Sequence, residues 1–116
     1  MKIKEWLKPD EQMATVGRHH WSVPRLIQLA KDLPVMDIPL DHLCIWCVYD
    51  KLSLRELVMH WKAADAADLT APIILDEDGV ILDGRHRVMK ALHQGLPTIK
   101  AVRFEANPLP CREDAS

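Results

Sequence analysis

Apolar residues recur at Leu54, Leu57, Val58 and Trp61, the i, i+3, i+4 and i+7 spacing of one helix face. Ser53-Leu54-Arg55-Glu56 in front of them has the spacing of a capping box, so a helix is expected from Ser53 to about Ala67, with Trp61 in the core. Further on the period shortens. Pro72-Ile73-Ile74-Leu75 and Val80-Ile81-Leu82 are short apolar runs joined by Asp76-Glu77-Asp78-Gly79, which predicts two strands and a solvated acidic turn. Residues 85–94 read as a second short helix closed by Gly95, and Ile99 to Phe104 alternates as a final strand. Upstream, Ser22 is an N-cap candidate and Pro24 falls in the first turn. Leu26, Ile27, Leu29, Ala30 and Leu33 then supply an apolar face that Pro34 ends. Val35 to Leu40 predicts a strand whose Pro39 belongs at an edge or an end. Residues 41–51 fit either a strand or a packed loop, and residues 1–21 show no sustained period and read as a partly helical or frayed arm. The order helix, strand, helix, two strands, helix, strand is that of a small α+β domain, a short mixed sheet packed with helices and preceded by a helical N-terminal extension.

A chain of 116 residues has room for one core. The expected organisation is an arm over residues 1–34 that packs on the core, a core domain over 35–104 and a tail over 105–116. No apolar run reaches the roughly 20 residues of a membrane span, and the N-terminus lacks the apolar stretch of a signal peptide, so a cytoplasmic protein with no membrane partner is expected. The formal net charge of −2 gives no general attraction to nucleic acid. Anion binding would have to come from a local cluster, for which Arg85, Arg87, Lys90, Lys100 and Arg103 are candidates, with Arg18, His19, His20 and Arg25 upstream. Three cysteines, Cys44, Cys47 and Cys111, cannot all pair within one chain, and reduced thiols are expected.

The chemistry concentrates in Asp83-Gly84-Arg85-His86-Arg87, where a buried strand runs into a helix. The first N–H groups of a helix lack partners and its dipole favours negative charge there, so a phosphate fits. Two guanidiniums add forked donors suited to phosphate oxygens. The plain alternative is a tight turn at Gly84 followed by a solvated first turn. Cations at a helix N-terminus are unfavourable by about 0.3–1 kcal/mol each, however, and three in a row form a local conflict that a bound anion would remove. Asp83 can serve as a partner of Arg85 or Arg87, or as a Mg²⁺ ligand or base. Lys100 and Arg103 belong on a solvated strand face. Cys44-Ile45-Trp46-Cys47 is most simply a pair of buried thiols; a redox pair, or zinc bound with His42 and Cys111, lacks a second supporting motif. Arg18-His19-His20-Trp21 reads as a polar lead-in with an aromatic anchor, or as an arm folded over the anion site.

The run Ile38-Pro39-Leu40-Asp41-His42-Leu43, then Leu54-Arg55-Glu56-Leu57, Pro72 to Leu75, Leu82 to Arg87, Ala91-Leu92, Gly95-Leu96 and Ile99 to Val102 resembles the ParB/sulfiredoxin superfamily in order and spacing over residues 35–104. Sulfiredoxins carry Gly-Cys-His-Arg with a nucleophilic cysteine; Arg85 stands at that position, which excludes their sulfinic-acid repair. Partition-type ParB domains carry Gly-Glu-Arg-Arg, bind CTP and continue into a helix-turn-helix that has no counterpart here. ParB-like free-serine kinases carry Asp-Gly-His-His-Arg, from which this box differs only at Arg85. That resemblance implies a nucleotide (ATP, ADP or CTP) or phosphorylated small molecule held by Gly84, Arg85, His86 and Arg87, with Asp83 and His86 as the catalytic candidates and Asp83 near Mg²⁺. Those kinases also use an upstream glutamate as base. No glutamate lies between Leu40 and Lys51, where Asp50 is the available carboxylate. The expected activity is phosphoryl transfer to a small molecule. The alternatives are an accessory protein acting through a protein partner, and a DNA-binding protein or nuclease, against which the net acidity counts.

Overall fold

In a computed structural model the described residues are 13–16, 18–43 and 51–113. The elements in order are β1 (Met13–Val16), β2 (His19–Ser22), α1 (Val23–Ala30), β3 (Met36–Pro39), a 3-10 turn (Leu40–His42), α2 (Leu54–Asp65), β4 (Ile73–Leu75), β5 (Ile81–Asp83), α3 (Arg85–His93), β6 (Thr98–Arg103) and β7 (Arg112–Glu113). The architecture is α+β, with two sheets and three helices among the described residues.

The central sheet has the order β3-β6-β4-β5. β6 runs parallel to β4, while the β3–β6 and β4–β5 pairs are antiparallel. β3 lies at an edge, where Pro39 is tolerated because it has no N–H to donate. Both faces of this sheet are covered, and strand alternation divides the core in two. Ile74, Leu82, Val102 and Phe104 point to the side occupied by Trp21, Val23, Leu26 and Ala30. Ile73, Leu75, Ile81, Ile99 and Ala101 point to the side of Val88 and Ala91 of α3, with Leu40 and Leu43. This double burial explains why β4 reads as an unbroken apolar run.

The N-terminal region differs from the helical arm that its composition implies. β1 and β2 form an antiparallel hairpin, with Ala14 opposite Trp21 and both buried. Each strand has only four residues, too few for alternation to stand out against the surrounding polar sequence. Helix enters only at α1, where the Ser22 hydroxyl accepts from the Arg25 N–H at 3.2 Å. The C-terminal residues are likewise more than a tail. Trp21, 2% exposed, donates its indole N–H to the Pro108 carbonyl at 2.9 Å. The Cys111 N–H donates to the His20 carbonyl at 2.7 Å, and β7 pairs with β2, completing a β1-β2-β7 sheet.

The acidic turn between β4 and β5 also departs from expectation at one position. Asp76 is 1% exposed, and its Oδ1 accepts from the N–H groups of Asp78 at 2.9 Å and Val80 at 2.8 Å. Those bonds close the hairpin, while Glu77 and Asp78 face solvent as expected. A second departure concerns α2. The Ser53 cap forms, but the apolar stripe turns outward: Leu54 is 82% and Trp61 48% exposed, with Leu57 and Val58 also exposed. Only Ala64 of this helix is buried, and α2 packs on α3 through the opposite edge. Lys90 of α3 holds the helix in place by donating to the carbonyls of Asp65 at 2.9 Å and Ala67 at 2.8 Å. α3 ends in the expected glycine-closed turn, with Leu96 N–H bonded to Ala91 O and Gly95 N–H to Leu92 O.

Candidate functional site

β5 delivers Asp83 to the edge of the sheet, and one residue later α3 begins. The reversal is made at Gly84, whose φ of 110° and ψ of 19° lie in the left-handed region. A Cβ there would meet Ile73 Cγ2 at 2.4 Å and Ile73 Cβ at 2.8 Å. Glycine is therefore required twice, by backbone conformation and by the close approach of β4. It also leaves the helix start without a side-chain cap. Val88 N–H makes the first intrahelical bond, to Gly84 O at 3.0 Å, so the preceding N–H groups of α3 have no intrahelical acceptor.

The three basic residues that follow have separate surroundings. Arg87 is built into the framework: Nη1 donates to the Pro72 carbonyl at 2.8 Å, and Nη2 lies 3.5 Å from Asp83 Oδ2. It thus ties the start of β4 to the β5–α3 junction. This is the Asp83–Arg87 partnership that i, i+4 spacing across the turn allows. Arg85 is partly buried and forms no ion pair among the described residues. Its guanidinium is the charge most available to a ligand. His86 turns to α2, where its Nε2 lies 2.9 Å from Nδ1 of His60.

Burial pushes the His86 imidazole below the ordinary histidine range, and the neighbouring His60 and Arg87 push the same way against the opposing pull of Asp83. Burial also lowers His60, partly offset by Glu56 one turn earlier on α2. Both rings accordingly favour the neutral form at neutral pH, which a shared hydrogen bond requires of at least one of them.

Sequence reasoning missed His60. The apolar period Leu54, Leu57, Val58 and Trp61, with Trp61 placed in the core, turns His60 away from it. The available signal was the polar pair Glu56 and His60, one turn apart on a helix that must face another helix. The other candidates lie elsewhere. Lys90 is committed to the end of α2, and Lys100 and Arg103 are exposed on β6 as expected. Arg25 and Cys111 meet at the start of α1, where Cys111 Sγ lies 3.4 Å from both Arg25 Nη1 and Ser22 N. The hydrogen bond from the Ser22 N–H, then that from Arg25, holds this exposed thiol below the usual cysteine range. Cys44, Cys47 and Asp50 fall outside the described residues. Among the described residues no three His, Cys, Asp or Glu side chains converge on a common point, and no helix is long and apolar enough to cross a membrane.

A shallow groove between α2 and α3 is lined by Trp61, Asp65, Met89, Lys90 and His93, further along α3 than Gly84. The cradle at the helix start consists of backbone donors and the Arg85 guanidinium, which forms no ion pair among the described residues. No family model matches the chain, and no curated protein matches it either.

Proposed function

We propose that the chain is a ParB/sulfiredoxin-like domain that binds the phosphates of a nucleotide, or of another phosphorylated small molecule, at the start of α3. The observation that carries this reading is the helix N-terminus capped by a left-handed glycine that admits no Cβ, with Arg85, which forms no ion pair among the described residues, as the next residue. The order of β4, β5, α3 and β6 around that turn is the one the family resemblance implies. Backbone N–H groups of Arg85, His86 and Arg87 would meet the phosphate oxygens, and the Arg85 side chain would add a charged fork. Arg87 would contribute by holding the turn.

The reaction class that fits is Mg²⁺-dependent phosphoryl transfer to a small molecule, in which the protein supplies position and charge. Asp83 suits the metal: Mg²⁺ commonly takes one or two carboxylates beside waters and phosphate oxygens, and among the described residues the hydrogen-bond partner of this carboxylate is Arg87 at 3.5 Å. When bound, the ion would neutralise charge on the transferred group. The side chain of His86 is engaged by His60, so its share in the cradle falls to its backbone N–H.

Calorimetric titration with ATP, ADP and CTP, with and without Mg²⁺, tests the reading. Charge-assisted hydrogen bonds of roughly 1.5–3 kcal/mol correspond to a loss of about 10- to 150-fold in affinity for Arg85→Ala. Absence of binding by all three nucleotides, or an affinity indifferent to Arg85→Ala, overturns it.

The exposed stripe Leu54, Leu57, Val58 and Trp61 favours a second reading, an accessory protein that acts through a protein partner. A partner that co-purifies with the wild type, is lost with Trp61→Glu and persists with Arg85→Ala would select that reading.

A further inference from the structure

α2 leaves more apolar surface uncovered than any other described helix. Leu54 is 82%, Val58 52%, Trp61 48% and Leu57 44% exposed, and among the described residues of this helix Ala64 alone is buried. A 12-residue helix is marginal on its own and draws most of its stability from the face it packs. At those exposures the four side chains present on the order of 400 Å² in one stripe, within the roughly 300–600 Å² of the largest, often functional, patch on a monomer.

The two ends of the stripe carry opposite charges. Lys51 stands three residues before Leu54, and Asp65 continues the stripe four residues after Trp61. Both are exposed, and neither forms an ion pair among the described residues. Their signs oppose the helix dipole, which favours an acidic residue at the start and a basic one at the end. A stripe that is basic, then apolar, then acidic is its own complement when reversed. An isologous two-fold interface requires that property.

We propose that this stripe is a homodimer interface, in which α2 of one chain lies antiparallel to α2 of a second copy. A two-fold axis between Leu57 and Val58 sets Leu54 against the second copy's Trp61, Leu57 against its Val58 and Lys51 close to its Asp65, each pair formed twice. Charges that conflict with the dipole within one chain then face opposite charges across the interface. The order of charges along the stripe favours a second copy over an unrelated protein as the occupant. α2 keeps its contact with α3, which uses His60 and Ala64 on a different edge. Two copies cover about 800 Å² from the apolar side chains, and with the flanking polar residues approach the roughly 1,200 Å² at which stable specific interfaces begin. The dimer is accordingly weak, with a dissociation constant in the micromolar range. It goes beyond the phosphate reading, does not depend on it and is tested without nucleotide.

The experiment is sedimentation equilibrium of the full, tag-free chain from about 1 µM to about 1 mM, where a monomer–dimer equilibrium is expected. Val58→Glu, which brings two carboxylates together at the axis, should weaken association at least tenfold. Lys51→Glu alone and Asp65→Lys alone should each weaken it about threefold or more, because each breaks both symmetry-related pairs. The double variant Lys51→Glu/Asp65→Lys restores opposite charges and should return to within about twofold of wild type. All three positions are exposed, so the variants keep the fold, which circular dichroism checks. A chain that stays monomeric to the upper limit, its stripe then serving a different protein or another part of the same chain, overturns the proposal. So does a dimer indifferent to Val58→Glu, or a double variant that associates no better than the single ones.

Discussion

Substituting Gly84 by alanine tests the geometry on which the cradle depends. Two costs combine there. An L-residue in the left-handed region is strained by about 1–2 kcal/mol. The added methyl would also sit 2.4 Å from Ile73 Cγ2, in a strand buried on both faces, and overpacking of that kind costs about 1–3 kcal/mol. The expected loss is about 2–5 kcal/mol, a large share of the roughly 5–15 kcal/mol that a domain has in total. For a chain of this length that lowers Tm on the order of 10 °C. Gly79 provides the internal control. Its φ of 85° carries the conformational strain, but a Cβ there would meet nothing within 4 Å, so Gly79→Ala should cost only about 1–2 kcal/mol. Urea unfolding followed by circular dichroism measures both. A double-mutant cycle with Ile73→Ala, which removes Cγ2, should then show about 1 kcal/mol or more of coupling at Gly84 and none at Gly79. Equal losses for the two glycine variants, or no coupling to Ile73, would refute the claim that close packing under the turn excludes a side chain.

Arg87→Ala should destabilise by about 1–3 kcal/mol, because the buried side of the turn loses its bond to the Pro72 carbonyl, whereas Arg85→Ala should stay within about 0.5 kcal/mol; thermal melts of the two variants separate them. His86 has a folded pKa below its ordinary value of 6.5, so the unfolded chain binds the proton more readily. Its contribution to stability is therefore complete above about pH 6.5 and is lost as pH falls from there through the depressed folded value. The urea midpoint should drop over that window in wild type and less steeply in His86→Gln. Cys111, held toward the thiolate by the Ser22 N–H and Arg25, should react with iodoacetamide at pH 7 faster than a free cysteine. Arg25→Ala should slow that rate, as site-resolved mass spectrometry would show.

Much of the central sheet and its flanking helices was legible because local signals agreed. Ser22 and Ser53 cap their helices, Gly95 closes α3, and the apolar runs at β4 and β5 pair across the turn between them. The strand-to-helix junction at Gly84 was legible for the same reason, since a glycine between a buried strand and a basic helix start has few other uses. The β1–β2–β7 sheet was not legible. Its strands have four, four and two residues, and they are held by pairing between distant parts of the chain that leaves no local period. Asp76 escaped because an acidic residue in a turn is usually solvated; what buries it is the pair of N–H groups that its own carboxylate gathers.

The reading of α2 went wrong for a more general reason, and its consequence reaches the candidate site. An apolar stripe at helical spacing shows that a helix has two faces, but the identity of the inward face depends on the neighbour. Here the neighbour is α3, whose first turn presents His86 and whose later turns present Lys90 and His93. A partner surface of that polarity selects His60 and Ala64 from α2, because His60 bonds the partly buried ring of His86 and Ala64 allows close approach. The stripe Leu54, Leu57, Val58 and Trp61 is then left outside as a consequence of the histidine contact. This account has a measurable corollary. Leu54→Gln, at a position 82% exposed, should change stability by no more than about 0.5 kcal/mol, while Ala64→Leu, at the contact itself, should cost about 1–3 kcal/mol by forcing the helices apart. Near-equal effects from the two substitutions would mean that α2 packs by its apolar stripe, and the juxtaposition of His60 with His86 would fall with it.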